Sequence, residues 1–495
     1  MPASSQSIAA PASPSAGEGR ELELELDEEQ EKASAAAGTD WSFRFAVVFL
    51  AFYYIRPQDW IAGMAGVNVI RPIMLAWGLV LLGQGSRSPL RGWLRTPHDW
   101  AILAFYVYVV WSAPSEADAM KGMFSLVVFY YLTSQSLSTW ENVLGYLKAW
   151  NVLLVSLATL GVLQTVGVDI TLGKAVTDSY FGRLALGTWM ADNPNALAHT
   201  VVAAIPLSYV LIFWRGTVWD RMVWFPTYAA LAGWCAWETE SKGAFLVGGG
   251  LTMLVFVVGR PRWIQILVVA AALTAGVGAL SFLPRMDQMG DLRADEGVMG
   301  RLMAWEMAKT AMEQNTFGVG WKQFLAYIPW LEGTSWTLEP KSTHCSYVQI
   351  GADLGRYGLF FWLLGLWTAF RSMAFFKSED ETEERCRRAT LLLVLAYAAS
   401  NWMINREYHT EYYLLIAVAS AVHRLRWARE AAVQEGETMR EAEEVEADED
   451  AEVSSASGSR KPRAVWKRLG ILDAGMAALL VYGVLEVWAY ILVNL

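Results

Sequence analysis

Charge is scarce in this chain, and so are the residues that build metal centres and cross-links. Only 18% of its 495 residues are Asp, Glu, Lys or Arg, against about a quarter in ordinary soluble domains. The three cysteines, Cys235, Cys345 and Cys386, are scattered, which excludes a disulfide framework and a cysteine-based metal site. No Asp-x-Asp pair or Cys/His cluster falls in the outer loops defined below, so no metal and no cofactor is expected. The acidic leader lacks a basic stretch, an apolar core and a small-residue cleavage site, which argues against a cleaved signal peptide. The net charge of −10 sits mostly in two tails, Glu18 to Glu31 and Glu430 to Glu452. These read as solvated or disordered, and nucleic acid is not expected as a partner. No internal repeat of the kind common in transporters is visible.

What is abundant is apolar surface: 54% of residues are hydrophobic and 25 are Trp. A membrane span needs about 17 to 25 apolar residues, and thirteen stretches approach that. They lie near 43–55, 67–83, 99–113, 122–134, 143–167, 196–214, 219–237, 243–259, 263–282, 346–370, 389–404, 411–423 and 471–493. The expected fold is therefore all-α, a polytopic integral membrane protein of about twelve or thirteen transmembrane helices. Lys and Arg flanking spans stay in the cytoplasm. Arg87, Arg91 and Arg95, then Arg215 and Arg221, Arg260 and Arg262, Arg371 to Arg388, and Arg424 to Arg429 fall on one side if every span is counted. That puts the N-terminus inside and the interval Leu283 to Tyr347 outside. The organisation expected is a disordered leader (1–40), nine spans (41–282), a long periplasmic loop (283–345), three spans (346–423), a charged cytoplasmic segment (424–470) and a last span (471–495).

The outer side carries basic groups that this rule does not account for: Lys174, Arg183, Lys242, Arg301 and His344. A cation near the membrane on the translocated face is either an interface anchor or part of a functional site. Asn193, Pro194 and Asn195 form a turn that starts a helix, and Arg183 upstream can reach its N-terminus, where anions are favoured. Ser241, Lys242 and Gly243 put a cation at another helix start, a costly position unless an anion binds there. In the long loop Val298, Leu302, Trp305, Ala308 and Met312 recur at helical spacing, predicting an amphipathic helix over about 297–314, on or near the membrane, closed by Gly318 and Gly320. Lys309, Lys322 and Lys341 are further cations in this interval. His344 precedes the span that continues with Tyr347, Gln349 and Asp353, and its ordinary pKa of about 6.5 suits proton transfer. Arg406, Glu407 and His409 add second-tier candidates on the same face.

In order along the chain, Arg183 with the later NPN turn, SKG at 241–243, RLMAWEMAKTAMEQNTFGVGWKQF and HCSYVQIGADLGRYG resemble the O-antigen ligase and polymerase superfamily of membrane glycosyltransferases. The resemblance spans roughly 180–370. It departs at Lys242, where arginine is usual, and at Cys345, where asparagine follows the histidine. It implies a GT-C-like helical enzyme of the bacterial inner membrane that moves glycan from an undecaprenyl diphosphate carrier to an acceptor on the periplasmic face, with inversion and without a metal. On this resemblance Arg183, Lys242 and Arg301 bind the donor diphosphate. His344 and Arg301 are catalytic, and Asn193, Asn195, Ser241, Trp305, Tyr347 and Gln349 support them. The implied partners are the lipid-linked glycan donor, a glycan or lipid A-core acceptor, membrane lipids and other polysaccharide assembly proteins. The donor motifs do not separate a polymerase from a ligase or from a protein O-oligosaccharyltransferase. A polysaccharide or anion transporter and a non-catalytic assembly scaffold are the readings from other classes.

Overall fold

The computed structural model describes residues 40–64, 67–84, 93–169, 182–187, 193–257, 261, 263–264, 266–267, 270, 296–327, 342–376, 378, 380–447 and 468–494. Among them every regular element is a helix. In chain order these are α1 (Trp41–Tyr54), α2 (Ile70–Gly83), α3 (Pro97–Ser112), α4 (Glu116–Ser136), α5 (Trp140–Thr165), α6 (Pro194–Phe213), α7 (Phe225–Glu238), α8 (Lys242–Val257), α9 (Glu296–Gln314), α10 (Ser346–Ala374), α11 (Glu381–Ser400), α12 (Thr410–Ala447) and α13 (Ile471–Asn494).

Local chemistry sets the starts. The Asp40 carboxylate accepts from the Phe43 amide to cap α1. Thr96 and Asp99 form a reciprocal capping box with Pro97 in the first turn of α3. Thr139 caps α5, and Asn193 caps α6 ahead of Pro194. Pro206 and a π-helical turn at Tyr209–Phe213 interrupt α6, the usual effect of removing an amide donor from a helix.

Three helices, α5, α6 and α13, are long and apolar enough to cross a membrane, and α1, α2 and Lys242–Val255 are shorter apolar helices. The remaining helices carry charge within them. α4 starts at Glu116, α11 opens with Glu381, Glu383 and Glu384, and α10 contains Asp353 and Arg371. Of the thirteen stretches proposed from hydropathy, 263–282 lies almost wholly outside the described residues, as do Lys174, Lys341 and residues 1–39. The others each coincide with a helix. The stretch 411–423 is the first part of a much longer helix, because α12 runs on to Ala447 into the segment expected to be solvated or disordered. Arg426 and Glu430, one turn apart and 2.7 Å from each other, support that extension.

α10 is the axis of the packing: α3, α9, α11, α12 and α13 all contact it. Its Trp362 ring stacks on Tyr412 of α12 at 5.5 Å, and Trp150 of α5 donates to the Tyr54 hydroxyl of α1 at 2.7 Å. α9, the helix expected from that periodicity, packs on α10 and α13. The buried stripe is Ala304, Trp305, Ala308, Ala311 and Met312, while Val298 and Leu302 are only partly covered. A stripe of alanines allows close helix approach, which periodicity alone cannot distinguish from a lipid-facing side.

The turn after α9 fits into a break in α10. At Gly355 (φ 67°) the α10 backbone leaves helical geometry, which frees the carbonyls of Ala352 and Asp353 to accept from Val319 (3.1 Å) and Gly320 (2.7 Å). Gly318, at φ 80°, comes so close that a Cβ there would sit 2.4 Å from the Asp353 carbonyl oxygen. Gly318→Ala is therefore expected to cost about 3 kcal/mol or more, combining backbone strain and collision. Thermal unfolding of the purified variant checks this, and a melting temperature equal to wild type would refute it.

Candidate active site

The predicted site residues gather at one end of the bundle, where α6, α8, α10 and α12 begin and α11 ends. The turn 401–409 joins α11 to α12 there and touches most of the other pieces.

Arg183 comes from the segment 182–187, which runs beside the end of α7, with the Leu184 amide donating to the Glu238 carbonyl at 3.0 Å. Its Nε donates to the Thr239 carbonyl (2.8 Å) and its Nη2 to Asn195 Oδ1 (2.9 Å). The Asn193 side chain accepts from the Asn195 amide at 2.8 Å. One arginine thus ties the start of α6 to the end of α7, two residues before Ser241. Arg406 does the same deeper in. Its Nη2 donates to the Ala196 carbonyl at 2.7 Å and to the Thr200 hydroxyl, and its Nη1 pairs with Glu411 at 2.8 Å. Its own amide donates to Ser346 Oγ at 2.8 Å. The side chain is 4% exposed, a buried clamp between α6, α10 and α12.

His344 sits in the left-handed region (φ 48°), a conformation worth about 1 to 3 kcal/mol of strain for a non-glycine residue. Both flanks hold it there. Thr343 Oγ1 lies within hydrogen-bond reach of three acceptors for its single proton, the Cys345 carbonyl and Gln349 Oε1, each at 3.1 Å, and Asn405 Oδ1 at 3.2 Å. Asn405 Nδ2 donates to Ser342 Oγ at 2.6 Å. Ser346 Oγ donates to Asn401 Oδ1 at 2.5 Å. From α9, Trp305 Nε1 donates to the Thr343 carbonyl at 2.8 Å, and its ring lies 6.4 Å from Trp402, itself 4.6 Å from Tyr347. Arg301 stands one helical turn before Trp305, close enough for its charge to act on both His199 of α6 and Cys345.

Lys242 opens α8. The next residue, Gly243, is closely packed: a Cβ would meet Met403 at 3.1 Å and His199 Nε2 at 3.3 Å. The start of α8 is thereby pressed against the 401–409 turn and α6, and Ser241 is buried at 2% exposure. The Tyr347 hydroxyl donates to the Ala398 carbonyl, near the end of α11, at 2.7 Å. Gln349 bridges Thr343 and Asp353, donating to the latter at 3.2 Å. Lys309 pairs with Glu313 along α9 at 4.0 Å, and both are half-exposed, while Lys322 lies over the rings of Trp321 and Tyr408. The structure thus links Arg183, Asn193, Asn195, Ser241, Lys242, Arg301, Trp305, His344 and Gln349 through shared neighbours, with the Tyr347 ring packed against Trp402 of the same turn.

Sequence reasoning passed over His199, Thr343, Asn401 and Asn405. Asn401 and Asn405 lie in a short turn with no periodicity, and Thr343 differs in nothing from other loop threonines until its partners are seen. Cys345, at the position that departs from the superfamily pattern, is fully buried, and burial pushes its thiol up to about 12. It is a neutral side chain at neutral pH and supplies neither charge nor base.

Glu407, in the turn between α11 and α12, is 7% exposed with Oε2 lacking a hydrogen-bond partner. Burial, and then the nearby Asp353 charge, push its carboxyl up to about 7. A raised carboxyl binds its proton more tightly in the folded state, so the folded chain is favoured at low pH and loses that advantage as pH rises from about 4.5 through 7. The loss is on the order of 3 kcal/mol at most. Glu407→Gln should flatten the dependence of melting temperature on pH between 5 and 8; an unchanged slope would show that Glu407 does not titrate there.

Among the described residues no three His, Cys, Asp or Glu side chains come together as a metal site. No curated protein matches the chain. Residues 227–363, from the first turn of α7 into the middle of α10, match the family model for O-antigen ligase. That stretch contains Ser241, Lys242, Arg301, Trp305 and His344, and Arg183 lies outside it. That stretch is similar to the O-antigen ligase family, which supports the resemblance to the O-antigen ligase and polymerase superfamily.

Proposed function

We propose that the protein transfers or polymerises oligosaccharide repeat units from a polyprenyl diphosphate donor during cell-surface polysaccharide assembly, working in the bacterial inner membrane with its N-terminus cytoplasmic and its site on the periplasmic face. The observation that carries this reading is the gathering of Arg183, Lys242 and Arg301 with His344 at one end of the bundle, where four helices present their N-termini. Fixed cations and helix N-termini lower the energy of charge developing on a leaving diphosphate.

In this reading the donor's diphosphate is bound by Arg183, Lys242 and Arg301. His344 takes the proton from the acceptor hydroxyl as its oxygen attacks the anomeric carbon. The new glycosidic bond forms as the bond to the diphosphate oxygen breaks, and the polyprenyl diphosphate leaves with the electron pair. Attack opposite the leaving group inverts the anomeric centre, and the neutralisation of the leaving charge is assigned to the guanidinium and ammonium groups rather than to a metal. Arg406, Trp305, Asn195 and Thr343 are positioning residues that set the separation of these groups.

The acceptor separates the narrower readings. In a deletion strain, loss of long polymer with one repeat unit still attached identifies a polymerase. Unattached polymer accumulating on the carrier identifies a ligase. Surface polysaccharide left intact in both length and attachment would refute the proposal. Lys242→Arg keeps the charge and is expected to retain most activity, whereas Lys242→Ala should lower transfer by about tenfold or more. Equal activities in a membrane transfer assay would remove Lys242 from the donor site.

A further inference from the structure

At the other end of α11 the bundle has a second cationic recess. α11 is 20 residues long, so its first turn lies about 30 Å from the site around His344. There α5, α11 and the turn after α6 enclose a cavity of about 680 Å³. Three basic side chains from three elements line it: Lys148 of α5, Arg215, and Arg385 of α11. Two carboxylates face them. Glu381 is 2.6 Å from Arg385 and 3.4 Å from Arg215. Asp220 accepts from the Thr217 amide and hydroxyl, each at 2.8 Å. Lys148 makes no hydrogen bond or ion pair among the described residues, so the recess carries one positive charge in excess. The Trp214 ring next to it is stacked by Arg215, Arg385 and Arg388 at 4.9, 5.5 and 4.5 Å.

The surroundings of the recess are apolar and open. Val218, Trp219, Met222 and Trp224 are more than half exposed, the pattern of side chains that sit at the boundary between acyl chains and headgroups. A recess with one surplus cation, hydroxyl and amide groups from Thr217, Thr382 and Asn151, and an acyl-compatible rim matches a singly charged phosphodiester attached to lipid. We propose that this cavity is a binding site for the headgroup of an anionic glycerophospholipid, with Lys148 pairing the phosphate. The proposal is independent of the glycan-transfer reading, because its residues lie at the opposite end of the bundle.

Native mass spectrometry of the purified full chain tests it, after delipidation and titration with phosphatidylglycerol or phosphatidylcholine. Wild type is expected to bind one phosphatidylglycerol more tightly than phosphatidylcholine. Lys148→Ala should weaken that site by about fivefold, Lys148→Arg should restore it, and Glu381→Gln should tighten it. Melting temperatures of the variants within a degree or two of wild type would show that the fold is kept. Equal binding of the two lipids, or equal phosphatidylglycerol binding by wild type and Lys148→Ala, would overturn the proposal. Displacement of the lipid by inorganic phosphate at equal concentration would overturn the lipid assignment and make the recess a site for free phosphate.

Discussion

Replacing Arg301 or His344 by alanine should each bring glycan transfer below about 1% of wild type, while the protein reaches the membrane at normal abundance. In the proposed mechanism the two act at different atoms. Arg301 lies on α9 beside the His344 loop, and removing a preorganised cation from developing negative charge costs about a hundredfold to a thousandfold. His344 is placed by a strained backbone whose neighbours on both sides are tied down by Thr343, Asn401, Asn405 and Trp305. Because those ties do not run through the imidazole, His344→Ala is expected to keep the loop and to lose the proposed proton acceptor. Arg301 is partly exposed, so its truncation leaves no large buried gap. Transfer assayed in membranes of matched protein content decides the matter; either variant keeping most of its activity would remove that residue from the mechanism.

Arg406→Ala is expected to act in the opposite way, by destroying the site through the fold. Its guanidinium reaches the Ala196 carbonyl, Thr200 and Glu411 together. Truncation would leave the Glu411 carboxylate, itself 13% exposed, without its charged partner and with only the Tyr54 hydroxyl, at 3.0 Å, among the described residues. Breaking a buried charged pair by removing one member costs about 3 to 5 kcal/mol, a large part of the stability of most domains. The variant should therefore melt well below wild type or fail to accumulate, and any protein recovered should transfer poorly. Arg406→Lys keeps the charge but cannot span three acceptors with one planar fork, so it should rank between the two in both melting temperature and activity. An Arg406→Ala protein with unchanged thermal stability would show that the clamp is dispensable.

Much of this was legible in the residues. Hydropathy located the helices, since an apolar run leaves few other ways to satisfy the backbone. The helix over Glu296–Gln314 followed from the spacing of Trp305, Ala308 and Met312, and the cap at Asn193 from its side-chain chemistry. Arg183, Lys242, Arg301 and His344 stood out as basic groups on a side where charge rules disfavour them. What the sequence hid depends on contacts between distant segments. The docking of α9 onto α10 needs the Gly355 break and the close approach of Gly318, and neither glycine announces its partner. The left-handed backbone of His344 is invisible without coordinates. The role of Arg406 as a clamp also stayed hidden, because its partners Ala196, Thr200 and Glu411 come from α6 and the start of α12. The continuation of α12 through the acidic segment was obscured by composition, since Glu- and Ala-rich sequence fits both a solvated tail and a solvated helix.

The claim on which the functional reading rests is that separate cationic side chains act on one diphosphate group. Equilibrium binding of undecaprenyl diphosphate and undecaprenyl monophosphate to purified protein measures this most directly, with wild type compared to Arg183→Ala, Arg301→Ala and the double variant. Tighter binding of the diphosphate by wild type is expected, with a loss of about tenfold or more for each single variant. The double variant should not discriminate between the two lipids. Identical affinities for the two lipids in wild type, or diphosphate binding that survives loss of both arginines, would contradict it.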